Sequence, residues 1–128
     1  MIGYVTLGTN DLEKSTAFYD ALMAEIGAKR VMEGETFVAW GASMEAPGIG
    51  VIKPHDGNTA SVGNGTMVAL VCDGPQTVDK LYNKAIALGA IDEGAAGPRG
   101  DDGFYAGYFR DLDGNKLNFF CMNGPGAA

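Results

Sequence analysis

Two apolar runs meet at an Asp-Gly turn near the end of the chain, within Phe109-Arg110-Asp111-Leu112-Asp113-Gly114-Asn115-Lys116-Leu117-Asn118. Asp-Gly between apolar runs is a strong hairpin signal, because glycine adopts the positive φ that tight turns need. The stretch therefore predicts two strands, residues 104–110 and 116–122. A calcium loop is disfavoured, since its required Gly and Glu positions hold Lys116 and Met122 here.

The same order of elements is predicted on both sides of a polar loop at residues 54–64, which is rich in turn-forming residues. Before the loop we expect a strand at 2–8, a helix at 12–26, and strands at 29–33, 36–40 and 48–53. After it we expect a strand at 65–72, a helix at 75–88, and strands at 90–93, 104–110 and 116–122. Each half is thus a βαβββ unit.

Matching residues support an internal duplication. Phe18-Tyr19 corresponds to Leu81-Tyr82, and Ile26-Gly27-Ala28 corresponds to Leu88-Gly89-Ala90, at an offset of about 60 residues. Gly27 and Gly89 are expected to end the two helices. Asn10 is expected to cap the first helix, with Glu13 completing a capping box.

Composition excludes several classes of function. The chain has 128 residues, 46% of them hydrophobic, which fits one globular domain. A net charge of −7 without any run of Lys or Arg argues against nucleic acid and against anionic membranes. Without a signal-peptide pattern or a spanning apolar stretch, we expect a cytoplasmic protein. Cys72 and Cys121 are expected to pack as thiols, with a redox pair as the alternative.

Three segments resemble the vicinal oxygen chelate superfamily, which includes glyoxalase I, extradiol dioxygenases, fosfomycin-resistance proteins and bleomycin-binding proteins. They are residues 4–19, 64–69 and 109–118. The resemblance implies an α+β fold of two tandem βαβββ modules that form a half-open, cup-shaped eight-stranded sheet. It implies one glyoxalase-like domain over residues 1–128, with modules at about 1–60 and 61–124. It also implies a homodimer, because the family commonly completes its pockets across subunits.

The resemblance also implies a metal site, from which this sequence departs. Enzymes of the family use His, Glu or Gln from the first, fourth, fifth and eighth strands. Those positions fall here on Tyr4, Met67 and Asn118, and the fourth strand at 48–53 has no His or acid. The only histidine, His55, lies in the polar loop. We therefore expect no metal and no other cofactor.

Strand parity and the resemblance together suggest which residues line the cup. The candidate ligand-binding residues are Tyr4, Trp40, Met67, Arg99, Tyr105, Asn118 and Phe120. A phenol, a thioether and an amide suit a neutral or aromatic small molecule, which is the leading hypothesis. The alternative is a purely structural role, in which these side chains fill the cup as part of the hydrophobic core.

An enzyme is the other alternative. Tyr4 with Asp101 or Asp102 could supply an acid and a base for a metal-free lyase or isomerase. Alternatively, the chain could be a conventional metal-dependent lyase, isomerase or dioxygenase of the family whose ligands lie at other positions. Arg99 could hold an anionic group of the substrate. His55 followed by Asp56 could be a general base with its orienting acid, but their Pro-His-Asp-Gly-Asn context favours an ordinary turn.

Overall fold

Eight strands and two helices alternate in the predicted order in the computed structural model, which describes residues 1–128. The first half contains β1 (Tyr4–Gly8), α1 (Leu12–Ala24), β2 (Lys29–Glu33), β3 (Phe37–Gly41) and β4 (Gly48–Ile52). The second half contains β5 (Val68–Val71), α2 (Pro75–Ala87), β6 (Ile91–Pro98), β7 (Tyr105–Arg110) and β8 (Lys116–Cys121). Neither helix has the length and apolar character needed to cross a membrane.

The chain divides into two compact units, Met1–Val62 and Gly63–Ala128. The strands form two four-stranded sheets, in the orders β1-β4-β3-β2 and β5-β8-β7-β6. In each unit the first and last strands pair in parallel and the other pairs are antiparallel. The α+β fold of two tandem βαβββ modules is thus confirmed, and the identical strand order is what an internal duplication predicts.

In the first unit, α1 covers one face of the sheet through contacts with β2, β3 and β4. Trp40 is only 1% exposed and its ring lies 5.5 Å from that of Tyr19 on the helix. Asp20 of α1 accepts hydrogen bonds from Trp40 Nε1 at 2.8 Å and from the Arg30 guanidinium at 2.6 Å. Because side chains alternate along a strand, the neighbours of Trp40 point to the opposite face.

In the second unit, α2 covers one face through contacts with β6, β7 and β8. The Tyr105 hydroxyl donates to Asp79 Oδ1 of α2 at 2.7 Å. Phe109 and Phe119 stack at 5.4 Å and are fully buried under the helix with Leu81. The side chains of Tyr105, Phe109 and their cross-strand partners therefore face α2, and the other face of this sheet points away from α2.

The Asp111 carboxylate holds the predicted β7–β8 turn together. Its Oδ1 accepts hydrogen bonds from the backbone N–H groups of Asp113 and Asn115, both at 2.9 Å, and Asn115 Nδ2 donates to Oδ2 at 3.1 Å. Gly114 has φ +89°, which suits glycine. The predicted hairpin is confirmed, and the Asp111 carboxylate stabilises its turn by accepting these hydrogen bonds.

The expected Asn10 cap is wrong. Asp11 is the N-cap of α1, and its side chain accepts a hydrogen bond from the Lys14 N–H at 3.1 Å. Its negative charge also interacts favourably with the positive N-terminal end of the helix dipole. The Asn10 side chain instead accepts from the backbone N–H of Ala60 at 2.7 Å. Asn10 and Asp11 are both suitable caps. Because Asn10 bonds to the loop at Ala60, Asp11 is left to cap the helix.

The strand expected at 90–93 continues to Pro98, as β6. Its pairing with β7 shifts register between Asp92 and Gly94 and again between Gly94 and Gly97. Such bulges break the alternation of side chains that marks a strand in sequence. The glycine-rich half of β6 therefore carried no periodic signal.

Gly107 leaves space for the helix, and this predicts the cost of adding a methyl group there. A Cβ atom at Gly107 would lie 2.9 Å from Cδ1 and 3.0 Å from Cγ of Tyr82, so Gly107→Ala must push α2 away. We expect Gly107→Ala to lower the free energy of unfolding by about 1–3 kcal/mol in a urea titration. Gly3→Ala is the matched control, because nothing lies within 4 Å of its added Cβ. Equal stability of the two variants would contradict this packing.

Candidate functional site

Each sheet has a second face, opposite its helix, which we call its helix-free face. In the first sheet, strand register places the alternate residues on this face, namely Tyr4, Thr6, Met32, Phe37, Ala39, Gly48, Gly50 and Ile52. In the second sheet the same argument gives Ala69, Val71, Ala106, Tyr108, Arg110, Lys116, Asn118 and Phe120.

The helix-free face of the first sheet contains a pocket of about 260 Å³. Its floor is made of small residues, including Ala39, Gly48 and Gly50. A Cβ at Gly50 would meet Val38 O at 3.0 Å and Ala39 Cβ at 3.3 Å, so the floor is already close-packed. The small residues set the depth of the pocket.

The pocket walls are largely apolar. They come from Tyr4, Thr6, Met32, Phe37, Met44 and Ile52, among others. Methionine side chains are unbranched and polarizable and adapt to varied ligand shapes, while the hydroxyls of Tyr4 and Thr6 can hydrogen-bond. An apolar cavity of roughly 150 Å³ holds benzene. The volume therefore suits a small molecule of one or two rings.

A second, shallower depression lies beside α1, and its charged side chains form ion pairs with one another. Arg30 contacts Asp20 at 2.6 Å and Glu33 at 2.7 Å there. The Arg30 hydrogen bond holds the pKa of the Asp20 carboxyl below its usual value. These charges satisfy one another and tie β2 to α1.

The helix-free face of the second sheet carries polar and aromatic groups. Asn118 is 2% exposed and its Oδ1 has no hydrogen-bond partner. Tyr108 is its cross-strand partner on β7. The rings of Phe104 and Phe120 lie 5.9 Å apart, so an aromatic surface lies beside the amide.

The residues at the positions where the resemblance implies a metal site are chemically poor ligands for a divalent cation. Tyr4 lies on β1, Met67 immediately precedes β5, and Asn118 lies on β8. A phenol, a thioether and an amide offer no imidazole or carboxylate, and β4 (Gly48–Ile52) adds neither. No group of three or more His, Cys, Asp or Glu residues is placed to hold a metal ion.

The structure corrects the expected placement of two candidate residues. Trp40 and Tyr105 face α1 and α2, where Asp20 and Asp79 accept their polar hydrogens. Because each of these side chains donates a hydrogen bond to a residue of a helix, each lies on the helix-covered side of its strand. Neither side chain therefore lines a helix-free face. Tyr4, 66% exposed, and Phe120 do occupy such faces, together with Asn118.

The other candidates lie outside the strands. Met67 is 39% exposed before β5, and Arg99 follows β6 with its guanidinium above the Tyr108 ring. Asp101 and Asp102 are exposed in the following loop, where Asp102 accepts from the Phe104 N–H at 3.2 Å. His55 lies in an exposed turn, as expected.

The pKa values of several side chains are shifted by packing against the helices. Burial, together with a hydrogen bond to Asp92, raises the pKa of Tyr82 to about 12. The hydrogen bond to Asp79 raises the pKa of Tyr105. Burial, with Cys121 nearby, raises the pKa of Cys72 to about 11. These groups stay protonated near neutral pH, which suits structural roles and an unreactive thiol.

Sequence reasoning missed several residues of both helix-free faces, including Met32, Phe37, Met44, Tyr108 and Lys116. Phe37 and Trp40 lie on one strand with opposite parity, and the prediction named Trp40 and not Phe37. The available signal was the Gly48–Val51 part of β4, in which each glycine is followed by a large apolar residue.

Comparison with known proteins identifies the family to which this fold belongs. Residues 1–119 match the family model described as the Glyoxalase/Bleomycin resistance protein/Dioxygenase superfamily. None of the curated proteins searched matches the chain. A glyoxalase/bleomycin resistance protein from Albidiferax ferrireducens T118 is 32% identical, with a TM-score of 0.86 over 94% of this chain and 98% of that one.

More distant structures share the fold. A glyoxalase/bleomycin resistance protein/dioxygenase family enzyme from Burkholderia phytofirmans PsJN is 20% identical, with a TM-score of 0.74 over 94% of this chain and 97% of that one. A lactoylglutathione lyase from Agrobacterium tumefaciens is also 20% identical, with a TM-score of 0.72 over 96% and 94%. With the family model spanning most of its length, the chain belongs to the glyoxalase/bleomycin resistance protein/dioxygenase superfamily.

Proposed function

We propose that this protein binds a small, neutral or aromatic organic molecule on the helix-free face of its first sheet, without using a metal ion. The observation that carries the proposal is the apolar pocket of about 260 Å³ with a floor of small residues. Binding sites of this kind combine apolar walls with a few polar groups that fix orientation. Tyr4 and Thr6 supply such groups here.

Binding is favoured over acid–base catalysis by the side chains present. The acids considered for catalysis, Asp101 and Asp102, are exposed in a loop of the second unit, and Asp102 accepts a backbone hydrogen bond. The pocket itself contains phenol, hydroxyl and thioether groups but no carboxylate or imidazole. These groups can hold a ligand, but none of them is a ready base near neutral pH.

Filling the pocket with a large side chain should weaken the binding of an apolar probe. We expect prodan, a neutral dye with a two-ring naphthalene core, to gain blue-shifted fluorescence on binding, and Thr6→Phe to weaken that binding at least tenfold. Thr59→Phe, in the exposed loop between the units, is the matched control and should bind as the parent does. Circular dichroism checks that both variants fold. Unchanged binding by Thr6→Phe, or no binding by the parent protein, would contradict the proposal.

The metal content of the purified protein tests whether ligand binding needs a metal ion. Protein purified without chelators should contain well under one equivalent of Fe, Mn, Ni and Zn by plasma mass spectrometry, because the family positions hold Tyr4, Met67 and Asn118. Dye binding should persist after dialysis against EDTA. A stoichiometric, tightly held metal, or loss of dye binding with EDTA, would refute this part of the proposal.

We also propose a homodimer. β1 and β5 each have one hydrogen-bonded neighbour, so each sheet has a first strand with an unpaired backbone edge. Unpaired edges are prone to pair with another chain. Sedimentation equilibrium should give twice the monomer mass of 13.3 kDa. A single species at the monomer mass across micromolar concentrations would be inconsistent with it.

A further inference from the structure

Two of the six methionines of the chain line the pocket of the first unit. Met32 is 43% exposed and Met44 is 64% exposed, so small solutes in water reach both side chains. Met23 of α1 is buried, and the other three methionines are exposed but do not line the pocket. The wall of the pocket therefore contains two accessible thioethers.

Two different elements bring these thioethers to one pocket. Met32 lies on β2, the edge strand of the first sheet, opposite Ala39 on β3. Ala39 belongs to the floor, and a partner this small leaves the longer Met32 side chain exposed at the wall. Met44 lies in the turn between β3 and β4, where the backbone O and the Oγ of Ser43 accept from the Ala46 N–H at 3.3 and 3.2 Å. This turn holds Met44 at the same pocket.

Few groups in the pocket can compensate a strongly polar oxygen in its wall. No charged side chain lines it, and its polar side chains are the hydroxyls of Tyr4, Thr6 and Ser43. Oxidation of methionine to the sulfoxide turns a flexible apolar side chain into a polar, chiral one. Burying that oxygen against an apolar ligand without a hydrogen bond is unfavourable. A sulfoxide that bonds to Tyr4 or Thr6 would instead occupy a group that orients the ligand.

We infer that Met32 and Met44 form a reversible oxidation site that weakens ligand binding in this pocket, with hydrogen peroxide as the oxidant. This regulation rests on the proposed function, since it acts on the same pocket. In the forward step the thioether sulfur attacks one peroxide oxygen, so that an S–O bond forms and the O–O bond breaks. The sulfur loses two electrons, and the second oxygen leaves with both protons as water. In the reverse step a dithiol is oxidised to a disulfide, and the sulfoxide oxygen leaves as water.

Peroxide treatment of the whole chain, followed by desalting, tests this regulation. Peptide mass spectrometry should find sulfoxide at Met32 and Met44 and leave the buried Met23 unmodified. The treated protein should bind prodan about tenfold more weakly than the untreated protein, because a polar oxygen replaces part of the apolar wall. Incubation with the two methionine sulfoxide reductases and dithiothreitol should restore binding, since each enzyme reduces one sulfoxide epimer.

Matched variants show which methionines are responsible. The variant Met32→Leu/Met44→Leu keeps apolar side chains of similar volume but has no sulfur in the pocket. Whatever its starting affinity for prodan, that affinity should be the same before and after peroxide. Met122→Leu, at an exposed position outside the pocket lining, is the control and should lose binding with peroxide as the parent does. Both variants keep Cys72 and Cys121, so a loss caused by cysteine oxidation would appear in both.

Prodan binding by the untreated parent tests the proposed function, and the comparison with treated protein tests its regulation. An unchanged affinity after both sulfoxides have formed would overturn the regulation and leave the proposed function standing. An equal loss of binding in Met32→Leu/Met44→Leu would also overturn it. So would the absence of sulfoxide at Met32 and Met44 under conditions that oxidise Met122. Absence of prodan binding by the untreated parent would overturn both proposals.

Discussion

The packing of each helix against one face of its own sheet is the constraint on which the other features depend. Asp20 of α1 accepts from Trp40 and Arg30, and Asp79 of α2 accepts from Tyr105. These bonds fix which set of alternating side chains lies under the helix. Because strand side chains alternate with period two, the same bonds fix which set faces the other way. The positions available for binding are thus a consequence of core packing.

The two units share a strand order but present different chemistry on their helix-free faces. The first unit has a floor of small residues that leaves a pocket with apolar walls. The second carries two cations, Arg99 and Lys116, over the Tyr108 ring, together with the buried Asn118 and a pair of phenylalanines. Topology fixes where side chains are displayed, while their identities remain free to vary. A repeated fold can therefore carry two unlike surfaces.

Predictions from local signals were largely correct, and their errors have physical causes. The β7–β8 hairpin was predictable because Asp111 organises its own turn through bonds to residues two and four positions on. The helix cap was misassigned because Asn10 and Asp11 are both good caps, and a distant backbone group at Ala60 engages Asn10. The strand β6 was underestimated because its bulges remove the alternation. In the candidate site, Tyr4, Asn118 and Phe120 lie on helix-free faces, whereas Trp40 and Tyr105 face the helices.

The sequence by itself determined the family, the repeated βαβββ order and the closing hairpin, because each depends on residue type and short spacing. Only the tertiary structure decided which side of each strand meets the helix, since a shift of one residue exchanges the two faces. It likewise revealed the pocket above Gly50 and the cations over Tyr108. Those features join residues that are distant in sequence, and no local pattern records which of them come together in space.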